Sequence, residues 1–490
     1  MRTLLSTLLL VAIAASASPE RPEHGGKVLL FGNLHAHSGL SDDLKDDTGE
    51  LMPSVAFEYA RNHGLDFLAI TDHHKADDAP GTRFQMEPSE YRTHLYDVAR
   101  RYNADHKGRF VAIPGFEWGN TATGNHVNLL GATALPPSTI RNKDYDEVYT
   151  WARDNCKFVQ FNHPKSWSYK TNRNKSVGNF GEKLYQTPKE FAERVDGVLK
   201  TVSIITTVRG GHISGRYRDS EEKTHRDAQW EGYYQRFLNL GFHISPAANQ
   251  DTHGPNWGTV TAARTAAWAD AVTYRDLMDA FRANRVYATE DDEMVVVFLA
   301  EYGGKSYWMG ETVSIDGDED EITFKVAVWQ AEGSDSDSTD EGPYTIEVIR
   351  DSDGVGGQAA SLWDTVSDVH TKQVVEIPAQ AQGGQYFYLR VMEQEGKDNL
   401  VGEGEDALEN DTGELGGDGL RDDPNDTAWT SPIWIQGSQA TYYWSVRSRK
   451  KLYHQKDCWA VSRIGATNLR SGAPPEGWQK HGCKPRTGVN

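Results

Sequence analysis

Cysteine is nearly absent. Three residues in 490 carry a thiol, Cys156 on its own and Cys458 with Cys483 near the C-terminus, so a disulfide-dense scaffold is excluded. Long apolar runs are missing too. Beyond the first twenty or so residues, none approaches the roughly 18 continuous apolar residues of a membrane-spanning helix. Positive charge is in short supply: 51 Lys and Arg stand against 71 Asp and Glu, for a net charge of −20. Such a surface repels nucleic-acid backbones and anionic membranes, which argues against either as a partner. A small anionic substrate remains compatible, because bound metal ions reverse the potential locally. The remaining balance, 38% hydrophobic and 25% charged, is that of a globular chain long enough for more than one domain.

The chain opens MRTLLSTLLLVAIAASASPE. A basic start at Arg2, a short apolar run over 4–15 and the small-x-small triplet at 15–17 are the pattern of a secretory signal peptide over 1–17, cut after Ala17. A buried N-terminal helix is the alternative. No cysteine follows the run, so a lipid anchor is not expected. The mature chain is expected to be exported, secreted or periplasmic, with no stable membrane insertion.

Three stretches differ in character. Over 27–290 short apolar runs alternate with helical spacing (53–62, 89–102, 274–284), which indicates an α/β barrel or a parallel sheet. Over 291–436 runs rich in Val, Ile, Tyr and Phe are separated by acidic, Gly-containing turns. An all-β, sandwich-like domain is expected there. Those turns match no calcium loop and read as solvated. Over 437–490 the tail turns basic and aromatic and carries two cysteines, as a small separate module.

The chemistry-bearing residues sit where apolar strands end: Asn33-Leu34-His35-Ala36-His37-Ser38 with Asp42 just after, Thr71-Asp72-His73-His74, Glu117 with Asn125-His126, His163, and Asp251 with His253. In an extended segment His35 and His37 share one side, as do Asp251 and His253. Any one of these motifs alone is better explained by a satisfied core or surface histidine. Together they are not. Burying this many ionisable groups uncompensated costs several kcal/mol apiece, and metal binding offsets that. In parallel α/β folds the loops after the strand ends open on one face, which brings distant residues together.

The ordered set HAHSGLSDD, ITDHH, GFEW, GNHVNLLG, FNHP and NQDTHG resembles the PHP (polymerase and histidinol phosphatase) family over roughly 28–289. The arrangement, an exported chain with a β-domain after the catalytic one, resembles the branch of that family that includes carbaryl-type ester hydrolases. The resemblance implies an irregular (β/α)7 barrel and two or three divalent ions, zinc, manganese or iron. Carried over residue by residue, it implies that His35, His37, Glu117 and Asp251 hold one ion. Glu117 bridges to a second held by His126 and His163, and a third takes Asp42, His73 and His253. Gln250 and Thr252 depart from the small residues usual in the last motif, and 206–218 shows no family pattern.

A ligand set of imidazole and carboxylate without thiolate suits zinc, manganese or iron, and a water bridging such ions becomes the nucleophile. Glu117, Asp251 and His253 are the expected catalytic residues, with His74 a candidate proton donor. The expected reaction is hydrolysis of small phosphomonoesters or phosphodiesters. Arg209 and Arg216, with His212 and Arg218, are positioned in sequence to grip a phosphate or simply to solvate a loop. The alternatives are a carboxyl- or carbamate-ester hydrolase, for which Phe116, Trp118, Trp167 and Trp257 near the ligands either line a neutral pocket or simply pack the barrel, and a non-catalytic metal-binding protein. In the tail, Cys458 and Cys483 are expected to pair as a disulfide. The rival is a zinc site of His454, Cys458, His481 and Cys483, resembling small Cys/His modules but with Lys480 where a further cysteine would stand.

Overall fold

The structure, a computed structural model, describes residues 21–40, 51–74, 86–120, 125–141, 145–162, 195, 197–208, 212–214, 217–218, 224–225, 229–239, 241–331, 343–351, 360–393, 426–437, 442–445, 451–454, 468–472 and 479–480. The strands that position the site are β1 (Lys27–Asn33), β2 (Phe67–Ile70), β3 (Val111–Asn120), β4 (Asn125–Leu130), β5 (Phe158–Phe161), β6 (Leu199–Val208), β7 (Ser245–Asn249), β8 (Arg264–Ala269) and β9 (Val286–Thr289). β2 lies between β1 and β3, parallel to both. β3, β4 and β5 are successive antiparallel neighbours, and β5, β6 and β7 run parallel. On the other flank β1 pairs antiparallel with β8, and β8 with β9. The run curls back on itself. Thr265 Oγ1 on β8 accepts the N–H of Ala248 on β7 at 3.0 Å and donates to its carbonyl at 2.7 Å.

The expected regular alternation of parallel strands and helices is therefore met only in part. The first strands and the run β5–β7 are parallel. β4 is reversed because it follows β3 after a stretch too short to hold a crossover helix. β8 is reversed as well, and β9, antiparallel to β8, returns to the direction of β1. Gly32 lets β1 approach β2 closely: a Cβ there would sit 2.2 Å from the Phe67 carbonyl oxygen.

Helices α1 (Pro53–Asn62), α2 (Asp97–Asp105, continuing a π-helical turn Tyr91–Tyr96), α3 (Tyr145–Asn155), α4 (Gln229–Asn239) and α5 (Tyr274–Arg282) accompany these strands. α1 starts on Pro53, whose missing N–H is harmless at a first helical position, and buries Ala56, Phe57 and Ala60. α5 is capped by Thr273 Oγ1, which accepts from the Asp276 N–H at 3.2 Å, and buries Leu277, Met278, Ala280 and Phe281.

The rest of the described chain is strand-rich. One sheet holds β10 (Met294–Tyr302), β11 (Lys305–Trp308), β13 (Glu319–Gln330) and β16 (Val375–Gln382). Facing it are β12 (Thr312–Ile315), β14 (Tyr344–Asp351), β15 (Ala360–Val369), β17 (Tyr386–Glu393), β18 (Thr427–Thr430) and β19 (Ile433–Gly437). Their inner faces share one apolar core, with Phe324 5.0 Å from Phe387 and 5.4 Å from Phe298 between ring centroids. Period-two burial is plain on β16, where Ile377, Ala379 and Ala381 are buried between exposed neighbours. This core continues onto β1 and β8. Leu29, Phe31, Ala266 and Trp268 belong to it, whereas Leu30 and Ala267 belong to the core on the opposite face. Hydrogen bonding is also continuous across position 290, because β9 pairs antiparallel with β18.

Strands Tyr442–Ser445, Leu452–His454, Leu469–Gly472 and Gln479–Lys480 form a separate four-stranded sheet. Cys458, His481 and Cys483 lie outside the described residues. Among the described residues no helix is long and apolar enough to cross a membrane.

Candidate metal centre

The chain leaving β1 stays extended, so its side chains alternate. Leu34 and Ala36 join the apolar cores, and His35 and His37 are fully buried between them. Neighbouring loops clamp this segment. The His37 N–H donates to the Thr252 carbonyl at 2.9 Å and the Thr71 N–H to the Ala36 carbonyl at 2.8 Å. Trp257 Nε1 donates to the His37 carbonyl at 2.7 Å. Asp72 accepts from the N–H and the hydroxyl of Ser38 at 2.7 and 2.6 Å, which ties the turn after His37 to the end of β2. Asp251 takes a left-handed backbone, φ 47°. That conformation is sparsely populated for a residue with a side chain and is found where a site over-determines it.

These loops bring seven of the nine expected ligands into three overlapping groups: His35, His37, Glu117 and Asp251; His73, Glu117 and His126; His37, His73 and His253. Within each group the ligand atoms lie within 4.8 Å of one another. Asp251 Oδ1 is 3.1 Å from His35 Nε2 and 3.0 Å from His37 Nε2. Glu117 Oε1 is 3.4 Å from His35 Nε2 and 3.0 Å from His126 Nδ1. Its other oxygen, Oε2, is 3.6 Å from His37 Nε2 and 3.0 Å from His73 Nδ1. A tetrahedron with arms of about 2.0–2.1 Å, the zinc–nitrogen and zinc–oxygen range, has edges of about 3.3–3.4 Å. The donor set therefore fits a divalent ion in both spacing and chemistry.

Electrostatics point the same way. Burial, then the neighbouring His253 and His73, push the His37 pKa down to about 3, so its imidazole is neutral, the form that ligates. Burial also disfavours the His35 cation, but Asp251 and Glu117 outweigh it and raise that pKa. Burial alone would raise both carboxyls. His126, His35 and His73 instead hold Glu117 well below the usual range, and His35 with the His37 hydrogen bond does the same for Asp251. The centre thus favours ionised carboxylates. His37 and His253 stack at 4.0 Å between centroids, a contact that two imidazolium cations would oppose. His253 Nδ1 lies 2.7 Å from the Asp251 carbonyl. An N–H there fixes the tautomer with its lone pair on Nε2.

Sequence reasoning missed the layer beneath. Asn162 Nδ2 donates to Glu117 Oε1 at 2.9 Å and to Asn128 Oδ1 at 2.7 Å. Gln160 Nε2 donates to Asn162 Oδ1 at 3.0 Å, and Asn128 Nδ2 to the Leu34 carbonyl at 3.0 Å. Asn249 accepts from the Leu34 N–H at 2.9 Å and donates to Ser203 Oγ at 2.9 Å. All five side chains are fully buried. This amide relay orients Glu117 and anchors the segment that carries His35. Its only sequence signal is a polar residue at an inward position of an apolar strand, as in the FVQF of β5.

Asp42, His163, Arg209 and Arg216 lie outside the described residues, as does Trp167. His212 and Arg218 fall on short strands whose side chains are not described. Phe116, Trp118 and Trp257 do not line an open pocket: each is buried in the core, and Trp257 serves as the clamp on His37. His74 is also buried, packed edge-on to Phe116 at 5.7 Å.

No protein-family model matches the chain, and no curated protein matches it. Among solved structures, it is similar to a two-domain protein from Bacteroides vulgatus described as containing a predicted PHP-like metal-dependent phosphoesterase. The identity is 14% over 77% of this chain and 94% of that one, with a TM-score of 0.39. It is also similar to PsfC from Pseudomonas syringae, at 12% identity over 52% of this chain and 89% of that one, with a TM-score of 0.31. Both likenesses are too distant to bear on the chemistry, which stands on the side chains above.

Proposed function

We propose that this chain is a metal-dependent hydrolase of the PHP kind that cleaves phosphomonoesters or phosphodiesters, with two or three divalent ions of zinc, manganese or iron at the histidine–carboxylate centre. The observation that carries the proposal is Glu117. Each of its oxygens faces imidazoles of two different ligand groups, the arrangement of a bridging carboxylate between paired ions. In this reading the strand run from β1 to β8 is an irregular form of the (β/α)7 barrel.

Ions held there would supply Lewis acidity and a water acidified toward neutral pH. The chain's own residues prepare the site. His35 and His37 close its floor, fully buried. His73, His126 and His253, each 11–16% exposed at the side chain, form its accessible rim, so an ester approaches from that side. Asn162 holds the Glu117 carboxylate in register, and the Asp251 carbonyl fixes the His253 ring. Export directed by residues 1–17 is part of the proposal, and N-terminal sequencing of protein recovered outside the cytoplasm tests it.

The activity is tested on the purified full chain with nitrophenyl phosphate, bis-nitrophenyl phosphate and nitrophenyl acetate. The expected result is phosphoester hydrolysis that a strong chelator abolishes and manganese or zinc restores. Turnover of the acetate alone would replace the reading with the carboxyl-ester one. A fully metal-loaded protein inert toward all three would make the chain a metal-binding protein and end the enzymatic proposal.

A further inference from the structure

Gln250 and Thr252, larger than the residues usual in their motif, flank Asp251 in the chain leaving β7. Both are buried, as is Thr261. Gln250 Nε2 donates to the Thr261 carbonyl at 2.8 Å, eleven residues further on. The same carbonyl accepts from Arg264 Nη1 at 2.7 Å, and Arg264 is itself held by Asp292 at 2.9 Å. Residues 250–261 therefore form a loop tied off at its base.

This loop closes on the segment that follows β1. Its outgoing limb supplies the Thr252 carbonyl, which accepts the His37 N–H at 2.9 Å. Its returning limb supplies Trp257, whose Nε1–H donates to the His37 carbonyl at 2.7 Å. One loop thus takes both backbone polar groups of His37. It also carries Asp251, whose Oδ1 lies 3.0 Å from His37 Nε2. The returning limb is seated in turn. Trp257 stands edge-on to Tyr59 of α1 at 5.9 Å between centroids, and the Tyr59 hydroxyl bonds Thr259 Oγ1 at 3.0 Å. Between them Gly258 has φ 85°, and a Cβ there would lie 2.5 Å from the Leu65 methyl carbons, so only glycine lets the limb approach this closely.

The left-handed backbone of Asp251 persists only if its surroundings hold it, and the tied base does so. A pair of ligands fixed before an ion arrives loses less freedom when the ion binds. Stability alone does not account for Gln250. Its Oε1 is buried with no hydrogen-bond partner among the described residues, and a half-satisfied buried amide stabilises less than an apolar side chain of the same size. We propose that Gln250 and Trp257 are positioning residues: they close 250–261 into a clasp that presets His37 and Asp251 for the ion these share with His35 and Glu117. The inference rests on the reading of the histidine–carboxylate cluster as a metal centre, and it makes the ions of that centre unequal. His73 follows β2 and His126 stands on β4, so the ion they share with Glu117 does not depend on the clasp.

The test measures zinc affinity of the full chain by competition with a chelating dye, with the ions counted by elemental analysis. Gln250→Met removes the tether at nearly constant size and leaves the Thr261 carbonyl bonded to Arg264. The metal-free melting temperature should therefore hold or rise, while one zinc ion binds about 10–100-fold more weakly and its neighbour binds as before. Trp257→Phe should weaken the same ion, with a lower melting temperature because the His37 carbonyl loses its donor. In a His126→Ala background, Gln250→Met should still weaken the zinc that remains. In a His37→Ala background it should have no effect. Unchanged zinc affinity in Gln250→Met, equal weakening of both ions, or weakening that persists in the His37→Ala background would overturn the clasp and leave the metal centre standing. An unsubstituted chain that binds no zinc would instead remove the centre, and the clasp with it.

Discussion

The two large regions use the same strand periodicity to opposite ends. In the β-rich part, inward positions are apolar almost without exception: Val296, Phe298, Phe324, Val326, Phe387 and Leu389 fill one core. In the first part, strands β4 to β7 turn Asn128, Gln160, Ser203 and Asn249 inward, all fully buried, beneath a cluster of buried histidines and carboxylates. Burying polar groups is tolerated only when each is hydrogen-bonded, and even then contributes less than apolar packing. The contrast locates the function: one region is packed for stability, and the other gives up apolar packing to hold a charged centre in place.

Substitutions separate the two. The largest effect on chemistry is expected from Glu117→Ala. It should lose ions from both groups that share this carboxylate and bring hydrolysis to background, with the far-ultraviolet circular dichroism unchanged. In the other region Phe324→Ala should reverse the pattern. It opens a cavity between Phe298 and Phe387 and should reduce stability by about 3–5 kcal/mol in urea unfolding. The folded fraction should keep its full metal content. Asn162→Ala should sit between them, weakening metal retention by about 10–100-fold in chelator competition, the usual effect of removing a ligand's orienting partner. Its metal-free melting temperature should change far less than that of Phe324→Ala. The smallest effect is expected at the α5 cap, where Thr273→Ala should cost about 1 kcal/mol and leave both metal content and activity alone.

The histidines and carboxylates were legible in the sequence because each stands at the end of a short apolar run, and the spacing of His35 with His37 survives as a shared side in the structure. The relay beneath them was not. A single Asn or Gln in a strand has too many ordinary roles, and only the fold shows that Asn162 reaches Glu117. Strand direction was equally hidden. Apolar runs such as 125–130 and 264–269 look the same whether they pair parallel or antiparallel, so the alternating barrel was only partly right. The aromatics near the ligands read in sequence either as a pocket wall or as ordinary barrel packing, and Phe116, Trp118 and Trp257 take the second role as core residues. Proximity along the chain says nothing about which side of a strand a ring takes.

The central claim, that Glu117 bridges paired ions, is tested most directly by anomalous X-ray diffraction from crystals of the zinc-loaded protein, measured at the zinc absorption edge. The account predicts at least two peaks about 3.5–4 Å apart, one on each side of the Glu117 carboxylate, the first also touching His35, His37 and Asp251 and the second His73 or His126. A single peak away from Glu117, or none in crystals of a protein whose hydrolytic activity survives a chelator, would contradict it.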